Sequence, residues 1–411
     1  MKRLLLLLFT GLTTITMQGQ ISNGYYRIKN TSKYGRYLTI SNNKVDETNK
    51  NKIKNGEGGN VFGLKTVKDP ISDPSSLIYI SKDETGKSQY ACNIQAQGIN
   101  PLKFLKDNGA ELKIYPSDAS RINYYIVGSK EAMSWYMIDN FGSDGYIIAG
   151  TKSNFMGNNQ LWQICPVDNK TEYLGIAPNE NIKVGDKYYT TIYAGFPFQL
   201  SEGMKAYYIA ASDLGATTPT AQLKEISGKV PAATPVIIEC SSLNPADNKV
   251  TPLAENEGPA AVSGNKLVGV YFCYFMIDVI KGNGYEELSK NYLEIRNVTK
   301  YDENTMRVLG LVDGKLALVK ATDADLTVTD QGKYIPANKA YFPISASEAS
   351  AISSTSGILL STATGIQSIE TTNASSDIYN LMGQKVLRKE MSVDQLPQGV
   401  YIINGKKIIK R

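Results

Sequence analysis

Between Asp139 and Trp162 the chain gathers residue types that recognise sugars without a metal: Asp139, Asn140, Tyr146, Asn158, Asn159 and Gln160, closing on Trp162. An aromatic face stacks on the apolar side of a pyranose, while Asp, Asn and Gln groups bond its hydroxyls. Asp139, Tyr146, Asn159 and Gln160 are therefore the candidate carbohydrate-binding residues. The plainer reading of the same residues is a buried Trp at the end of an ordinary strand, in a domain with no sugar site.

Other chemistry is restricted by an absence. There is no histidine among the 411 residues, which removes His-based triads and His-rich zinc sites. Catalysis would have to run on carboxylates, Lys or Tyr, and nothing singles out two of the 39 acidic residues as a glycosidase pair. A non-enzyme is expected, with a carboxylate-based glycoside hydrolase as the remaining catalytic reading. Asp323-Ala-Asp325-Leu-Thr-Val-Thr-Asp330 has the acidic spacing of a calcium loop but lacks a further oxygen donor and the Gly that would follow. A solvated turn is expected there, with no metal and no cofactor. Gly56-Glu57-Gly58-Gly59-Asn60 is too short for a phosphate loop. Net charge is +5, but Lys2, Arg3, Lys406, Lys407, Lys410 and Arg411 lie at the ends, leaving 38 of the 44 basic residues against 39 acidic ones. With no basic stripe, no nucleic-acid partner is expected.

At the start, Lys2 and Arg3 precede the apolar run Leu4 to Phe9, and Thr10 to Gly19 is richer in small and polar residues. That is the layout of a secretory signal peptide over residues 1–19, cleaved near Gly19-Gln20. No stretch has the ~20 apolar residues of a membrane span. The expected location is secreted or at the outer cell surface. Four cysteines fall two and two, Cys92 with Cys165 and Cys240 with Cys273. In an exported chain each pair is open to a disulfide, and buried free thiols are the alternative.

The elements that must position these residues are short strands. Gly24-Tyr25-Tyr26-Arg27-Ile28-Lys29-Asn30 and Gly35-Arg36-Tyr37-Leu38-Thr39-Ile40 alternate apolar positions between Gly and Asn breaks. Weaker copies recur at Leu77-Ile-Tyr-Ile-Ser, Tyr124-Tyr-Ile-Val-Gly, Trp135-Tyr-Met-Ile-Asp and Gly145-Tyr-Ile-Ile-Ala-Gly. With Gln160-Leu161-Trp162, which has the Gln-x-Trp spacing, this layout resembles the ricin-type β-trefoil of secreted Bacteroidetes proteins. The resemblance implies three repeats over residues 20–168, with Trp162 in the shared core and Asn159 and Gln160 at the rim of a shallow sugar site. Val61-Phe-Gly-Leu64 stands where the first repeat's motif would fall. The middle repeat lacks the motif, with a short helix expected near Asn100 to Asp107. The position best matching the family's binding Asp is Ala149 rather than Asp139, which leaves a structural trefoil open beside a binding one.

Residues 169–345 hold further strand-like runs at Lys187 to Tyr193, Met204 to Ala210, Thr234 to Cys240, Lys266 to Tyr274, Tyr292 to Val298, Met306 to Leu311, Leu316 to Val319 and Ala340 to Ile344. Short strands at this spacing predict a sandwich or barrel. Val230-Pro231-Ala232 and Ile335-Pro336-Ala337 open similar turn-plus-strand units, so two related halves are possible. Residues 346–365, rich in Ser, Ala and Thr, suit a linker. In 366–411, Leu381-Met-Gly383-Gln-Lys-Val386 and Leu396-Pro397-Gln-Gly399-Val400-Tyr401-Ile resemble the C-terminal sorting domain of the Bacteroidetes type IX secretion system. Asn404-Gly405 between apolar runs predicts a hairpin. The fold class expected is all-β: an N-terminal trefoil, central sandwich or barrel-like domains and a short C-terminal β-hairpin domain. The function expected is non-catalytic binding of a glycan or glycoprotein through the trefoil, with the tail meeting the secretion machinery. A structural or protein-binding adhesin is the alternative.

Overall fold

The structure, a computed structural model, describes residues 21–39, 65–67, 70–82, 92–95, 112–130, 133–139, 147–150, 154–271, 299–329, 332–352, 357–362, 378–380, 399–403 and 406–410. The protein is all-β: among these residues regular structure is strand, apart from one short α-helix and several 3-10 turns. Two compact units divide it, Met1–Leu360 and Ser361–Arg411.

The first ten strands are β1 (Gly24–Asn30), β2 (Tyr37–Thr39), β3 (Lys65–Val67), β4 (Ile78–Lys82), β5 (Cys92–Gln95), β6 (Leu112–Pro116), β7 (Tyr124–Lys130), β8 (Met133–Asp139), β9 (Ile147–Gly150) and β10 (Trp162–Pro166). Antiparallel pairing runs β1 to β4 to β5 to β6 to β7, then through β10 back to β1, so six strands close a ring. Two hairpins hang from it, β2–β3 on β1 and β8–β9 on β7. Because successive side chains point to opposite faces, Ile28 and Asn30 share a face with their register partners Ile164 and Trp162. That face is the ring interior, where Ile28, Ile78, Ile80, Ile114, Ile126 and Trp162 are fully buried.

The opposite face of β1 meets the central region. Tyr25 lies 5.1 Å from Phe196 between ring centroids. Arg27 is fully buried, its Nε donating to Ser76 Oγ at 3.1 Å and its Nη2 to the Pro70 carbonyl at 3.2 Å. Arg27 Nη1 stands 3.6 Å from Glu172 Oε2, and Tyr37 donates its hydroxyl to Glu172 Oε1 at 2.9 Å. Ser75 and Asn338 pair their side chains further along the same contact. The first ring and the central sheets therefore share one packed interface.

The central strands are β11 (Leu174–Gly175), β12 (Asn179–Val184), β13 (Lys187–Ile192), β14 (Phe198–Leu200), β15 (Lys205–Asp213), β16 (Thr220–Ile226), β17 (Lys229–Val230), β18 (Val236–Cys240) and β19 (Lys249–Pro252). They continue as β20 (Val268–Val270), β21 (Met306–Val312), β22 (Lys315–Val319), β23 (Thr327–Thr329), β24 (Gly332–Tyr334), β25 (Lys339–Pro343) and β26 (Ile358–Thr362). A four-stranded sheet, β11-β19-β14-β17, packs on a ten-stranded one, β12-β13-β18-β15-β16-β26-β22-β21-β25-β20. β18 is apolar at every position but Glu239, as a strand buried on both faces tends to be. Val236, Ile238 and Cys240 enter the core shared with Leu174, Phe198 and Val250. Ile237 enters a second core, where the ten-stranded sheet curls so that Ile209 and Leu223 join Leu309, Leu318 and Ile358.

Pairing in the long sheet repeats: β13-β18-β15-β16 in its first half answers β20-β25-β21-β22 in its second. Each half enters its return strand through the Pro-Ala turn noted in the sequence. Ala233 (φ 52°) and Asn338 (φ 60°) take the left-handed conformation at matching places. Within the expected linker, residues 346–352 and 357–362 carry ordered structure. Ser345 caps a helix α1 (Ala346–Ala351) by accepting from Glu348 N, with Glu348 reaching back to Ser345 N, the capping box of Ser-x-x-Glu. Ile352 and Ile358 are buried in the curled core, and β26 pairs with β22. Composition pointed to a linker, but Ile352 and Ile358 are buried in that core and Leu360 packs against it.

In the second unit, β27 (Ile378–Asn380), β28 (Gly399–Ile403) and β29 (Lys406–Lys410) form an antiparallel sheet with Ile403 opposite Lys406. Only the two residues Asn404 and Gly405 separate those paired ends. The expected helix near residues 100–107, the segment 61–64 and the run 292–298 lie outside the described residues.

Candidate functional site

The described residues expected to bind sugar sit where the end of β8 and the segment entering β10 meet the end of β1. Asp139 ends β8, Asn159 and Gln160 end a 3-10 segment (Asn154–Gln160), and Trp162 opens β10. That segment kinks at Gly157 (φ 50°, ψ −133°), a conformation that favours glycine because it has no Cβ. The kink turns the chain so that Leu161 N bonds to the Asn158 carbonyl at 3.1 Å before the strand starts.

Trp162 is fully buried, as expected of a core residue, and its Nε1 donates to the Met137 carbonyl at 3.1 Å. Asn159 and Gln160 are not at the rim, being 7% and 6% exposed. Asn159 Nδ2 donates to the Asp139 carbonyl at 2.9 Å, and the Asn159 carbonyl accepts from Asn30 Nδ2 at 2.9 Å. Asn30 also reaches the Leu161 carbonyl at 3.2 Å, and its Oδ1 accepts from Ser32 N. The physical reason for the inversion is satisfaction of buried backbone: carbonyls at the end of β8 and around residues 159–161 need donors away from water. The amides of Asn159 and Asn30 supply them.

The Asp139 carboxylate is likewise engaged. It is fully buried, and its Oδ1 stands 3.0 Å from Arg36 Nη2. Arg36 is itself buried, with its guanidinium 4.6 Å from the Tyr34 ring centroid. Burial raises the Asp139 carboxyl to about 6, and the neighbouring Arg36 only partly offsets it. Asp139 Oδ2 accepts no hydrogen bond among the described residues. Tyr146, the aromatic expected to stack on the sugar, lies outside the described residues. The group left on the surface here is Asn158, exposed beside Thr31, whose hydroxyl donates to the Asn158 carbonyl at 3.0 Å.

Asn30 and Arg36 are the partners the sequence reading missed. Both lie inside the motifs that suggested the fold, Asn30 at the end of Gly-x-Tyr-x-Ile-x-Asn and Arg36 beside Gly35, but their roles depend on residues more than a hundred positions later.

The expected disulfides are corrected as well. Cys165 and Cys240 are free thiols. Cys165 is on β10 and Cys92 on β5, three strands apart around the six-strand ring. With neighbouring strands about 4.8 Å apart, opposite members of such a ring lie roughly 10 Å apart. That exceeds the roughly 7 Å that a disulfide can span between Cα atoms. Burial, reinforced by Glu172, pushes the Cys165 thiol up to about 11. Cys240 is packed in the core between the two central sheets, and burial with Glu239 beside it pushes its thiol up to about 12. Cys273 lies outside the described residues. In the acidic turn, Asp323 pairs with Lys333, and Asp325 Oδ2 accepts from Thr322 N and Oγ1, so both carboxylates have protein partners. No helix of the described residues is long and apolar enough to cross a membrane.

No family model matches this chain, and no curated protein matches it. Among solved structures, that of a mosquitocidal holotoxin is similar at 11% identity, covering 79% of this chain and 46% of the other, with a TM-score of 0.21. This chain thus spans just under half of that protein, and a TM-score so low carries no argument about fold or activity.

Proposed function

We propose that this is an exported, non-catalytic β-protein of the cell surface, an adhesin in which the N-terminal ring is a trefoil acting as a structural module. The trefoil reading is supported by the closed six-strand ring with hairpins on β1 and β7. Export is supported by the sequence of residues 1–19, and attachment by the sorting-like motifs of residues 366–411, through which the secretion machinery would be met. The observation that carries the structural role is the Asp139–Asn159–Asn30 network. The groups that would have held a sugar are spent on joining the first repeat to the third.

A second reading, binding of a glycan or glycoprotein by the same ring, is favoured by the exposed Asn158 one residue before the buried pair. A glycan array probed with the full chain separates the two. The structural reading expects no sugar bound; binding that weakens in Asn158→Ala establishes the second reading and overturns the first. For export, cells expressing the chain without residues 366–411 should lose it from their surface. Unchanged surface display would remove the sorting role of the tail.

A further inference from the structure

Where the two halves of the ten-stranded sheet meet, a cavity of about 300 Å³ opens. That volume is at the lower end of the ~300–1,000 Å³ typical of small-molecule sites. Ile182, Val308, Leu309 and Ile335 give it apolar walls, and Thr190, Thr191 and Lys339, with Asn179 and Asp325, give it polar groups. The grouping of Lys339 with Thr190 and Thr191 is built by the repeat itself. The left-handed Asn338 sets the start of β25 against β13, with Tyr193 N bonding to the Asn338 carbonyl and Ala340 N to Thr191 Oγ1. Lys339 is thereby brought to β13, where its Nζ donates to Thr190 Oγ1 at 2.9 Å and to the Thr191 carbonyl at 3.3 Å.

An ammonium has three donors and a full charge. Lys339, partly buried, uses two donors on neutral oxygens, and no described carboxylate lies within ion-pairing distance of it; of the buried charges, Arg27, Arg36 and Asp139 each have an opposite charge beside them, while Arg307 donates to the Glu303 and Met306 carbonyls and lines no part of this cavity. A lysine serving packing alone would extend its head to water or pair it. Burial lowers Lys339 to about 8, which leaves it mostly protonated at pH 7. A cation without an ion-pair partner, in a cavity with apolar walls, is complementary to one kind of ligand.

The geometry points to a binding site for a small apolar monocarboxylic acid, its carboxylate on Lys339 Nζ and the Thr190 hydroxyl and its hydrocarbon body against Val308, Leu309 and Ile335. One cation and one hydroxyl are too few donors for a phosphate, which takes several charge-assisted bonds. Asp325, the acidic residue of the lining, would repel a second negative charge and so selects for a single one. The site is separate from the N-terminal ring and does not depend on what that ring binds.

The test is calorimetric titration of the full chain at pH 7 with 4-methylpentanoate and phenylacetate, each paired with its primary amide. Saturable binding of an acid is expected, with its amide weaker by about tenfold or more, the value of one charged hydrogen-bonded contact. Lys339→Met should bind neither form measurably, and acid binding should weaken as pH is raised from 7 to 10. No saturable binding of either acid at millimolar concentration, or equal binding of acid and amide, overturns the proposal. The acid–amide contrast is made on the unaltered protein, so it decides the matter even where Lys339→Met fails to fold.

Discussion

The side-chain amide of Asn159 donates to the backbone carbonyl of Asp139 at 2.9 Å, with both residues buried. A residue type that marks a sugar rim in sequence is here a clamp between β8 and the segment entering β10. Asn159→Ala would strand a buried carbonyl, which costs about 1–3 kcal/mol. Urea unfolding of the full chain should show that loss. A variant as stable as the unaltered protein would return the amide to the surface.

Trp162 should matter more. Replacing a fully buried aromatic by Ala removes its contacts and leaves a cavity, commonly at a cost of about 3–5 kcal/mol. Trp162→Phe keeps most of the volume and loses the bond from Nε1 to the Met137 carbonyl, worth about 1 kcal/mol. The expected order of melting temperatures is therefore unaltered protein, then Phe, then Ala. Ala and Phe variants melting together would mean that ring volume does not hold this site.

Asp139 gives the N-terminal ring a pH dependence of definite sign. Its carboxyl is raised by burial to about 6 from the 3.8 of an unburied Asp, against the pull of Arg36. A raised carboxyl binds its proton more tightly when folded, so its contribution to stability is present below pH 3.8 and lost as pH rises through 6. A shift of that size corresponds to roughly 3 kcal/mol across the whole window. Relative to Asp139→Asn, the unaltered protein should gain stability as pH falls from 7 to 5. Parallel melting curves for the two proteins over that range would show that Arg36 holds the carboxylate ionised throughout.

Strands whose apolar residues alternate or run together were legible in the sequence. The run Met306 to Leu311 is β21 (Met306–Val312), and Thr234 to Cys240 contains β18 (Val236–Cys240). Strands held by partners instead of by their own composition were not. β12 buries Ile182 alone among Asn, Glu and Lys, and β16 buries only Ala221 and Leu223. Each exists because a neighbour, β13 or β15, offers a hydrogen-bonding edge. The candidate site failed at the same level. Trp162 was legible as core from its type and spacing, whereas Asn159 reads the same in sequence whether it faces a sugar or a carbonyl. What decides is Asn30, 129 residues earlier.

The free thiols can be counted directly. Alkylation of the unreduced protein in denaturant should label Cys165 and Cys240, as seen by peptide mass spectrometry. Without denaturant, Cys240 should stay unlabelled, since it is buried in the core and its raised thiol holds little thiolate at neutral pH. A Cys240 that resists alkylation in denaturant until reduced would restore the disulfide reading for that pair.

Arg27 and Glu172 tie the ring to the central sheets, and their coupling can be measured. Arg27 is without solvent exposure and Glu172 retains 16% on its side chain, with Nη1 and Oε2 3.6 Å apart. Removing one partner of a buried pair leaves an uncompensated charge, at about 3–5 kcal/mol when both are dry. The water left at Glu172 and the long contact reduce that, so Glu172→Ala is expected to cost about 2 kcal/mol. Burial already pulls the Arg27 guanidinium downward against the field of Glu172, so losing Glu172 leaves the cation opposed by desolvation with its principal counter-charge gone. Arg27→Met in the Glu172→Ala background removes that stranded charge. The double variant should therefore lose less than the sum of the two single losses in urea unfolding. Strictly additive losses would mean that Arg27 is held by Ser76 and the Pro70 carbonyl, and by the Ile71 carbonyl 3.4 Å from Nη2, with Glu172 contributing nothing to the joint.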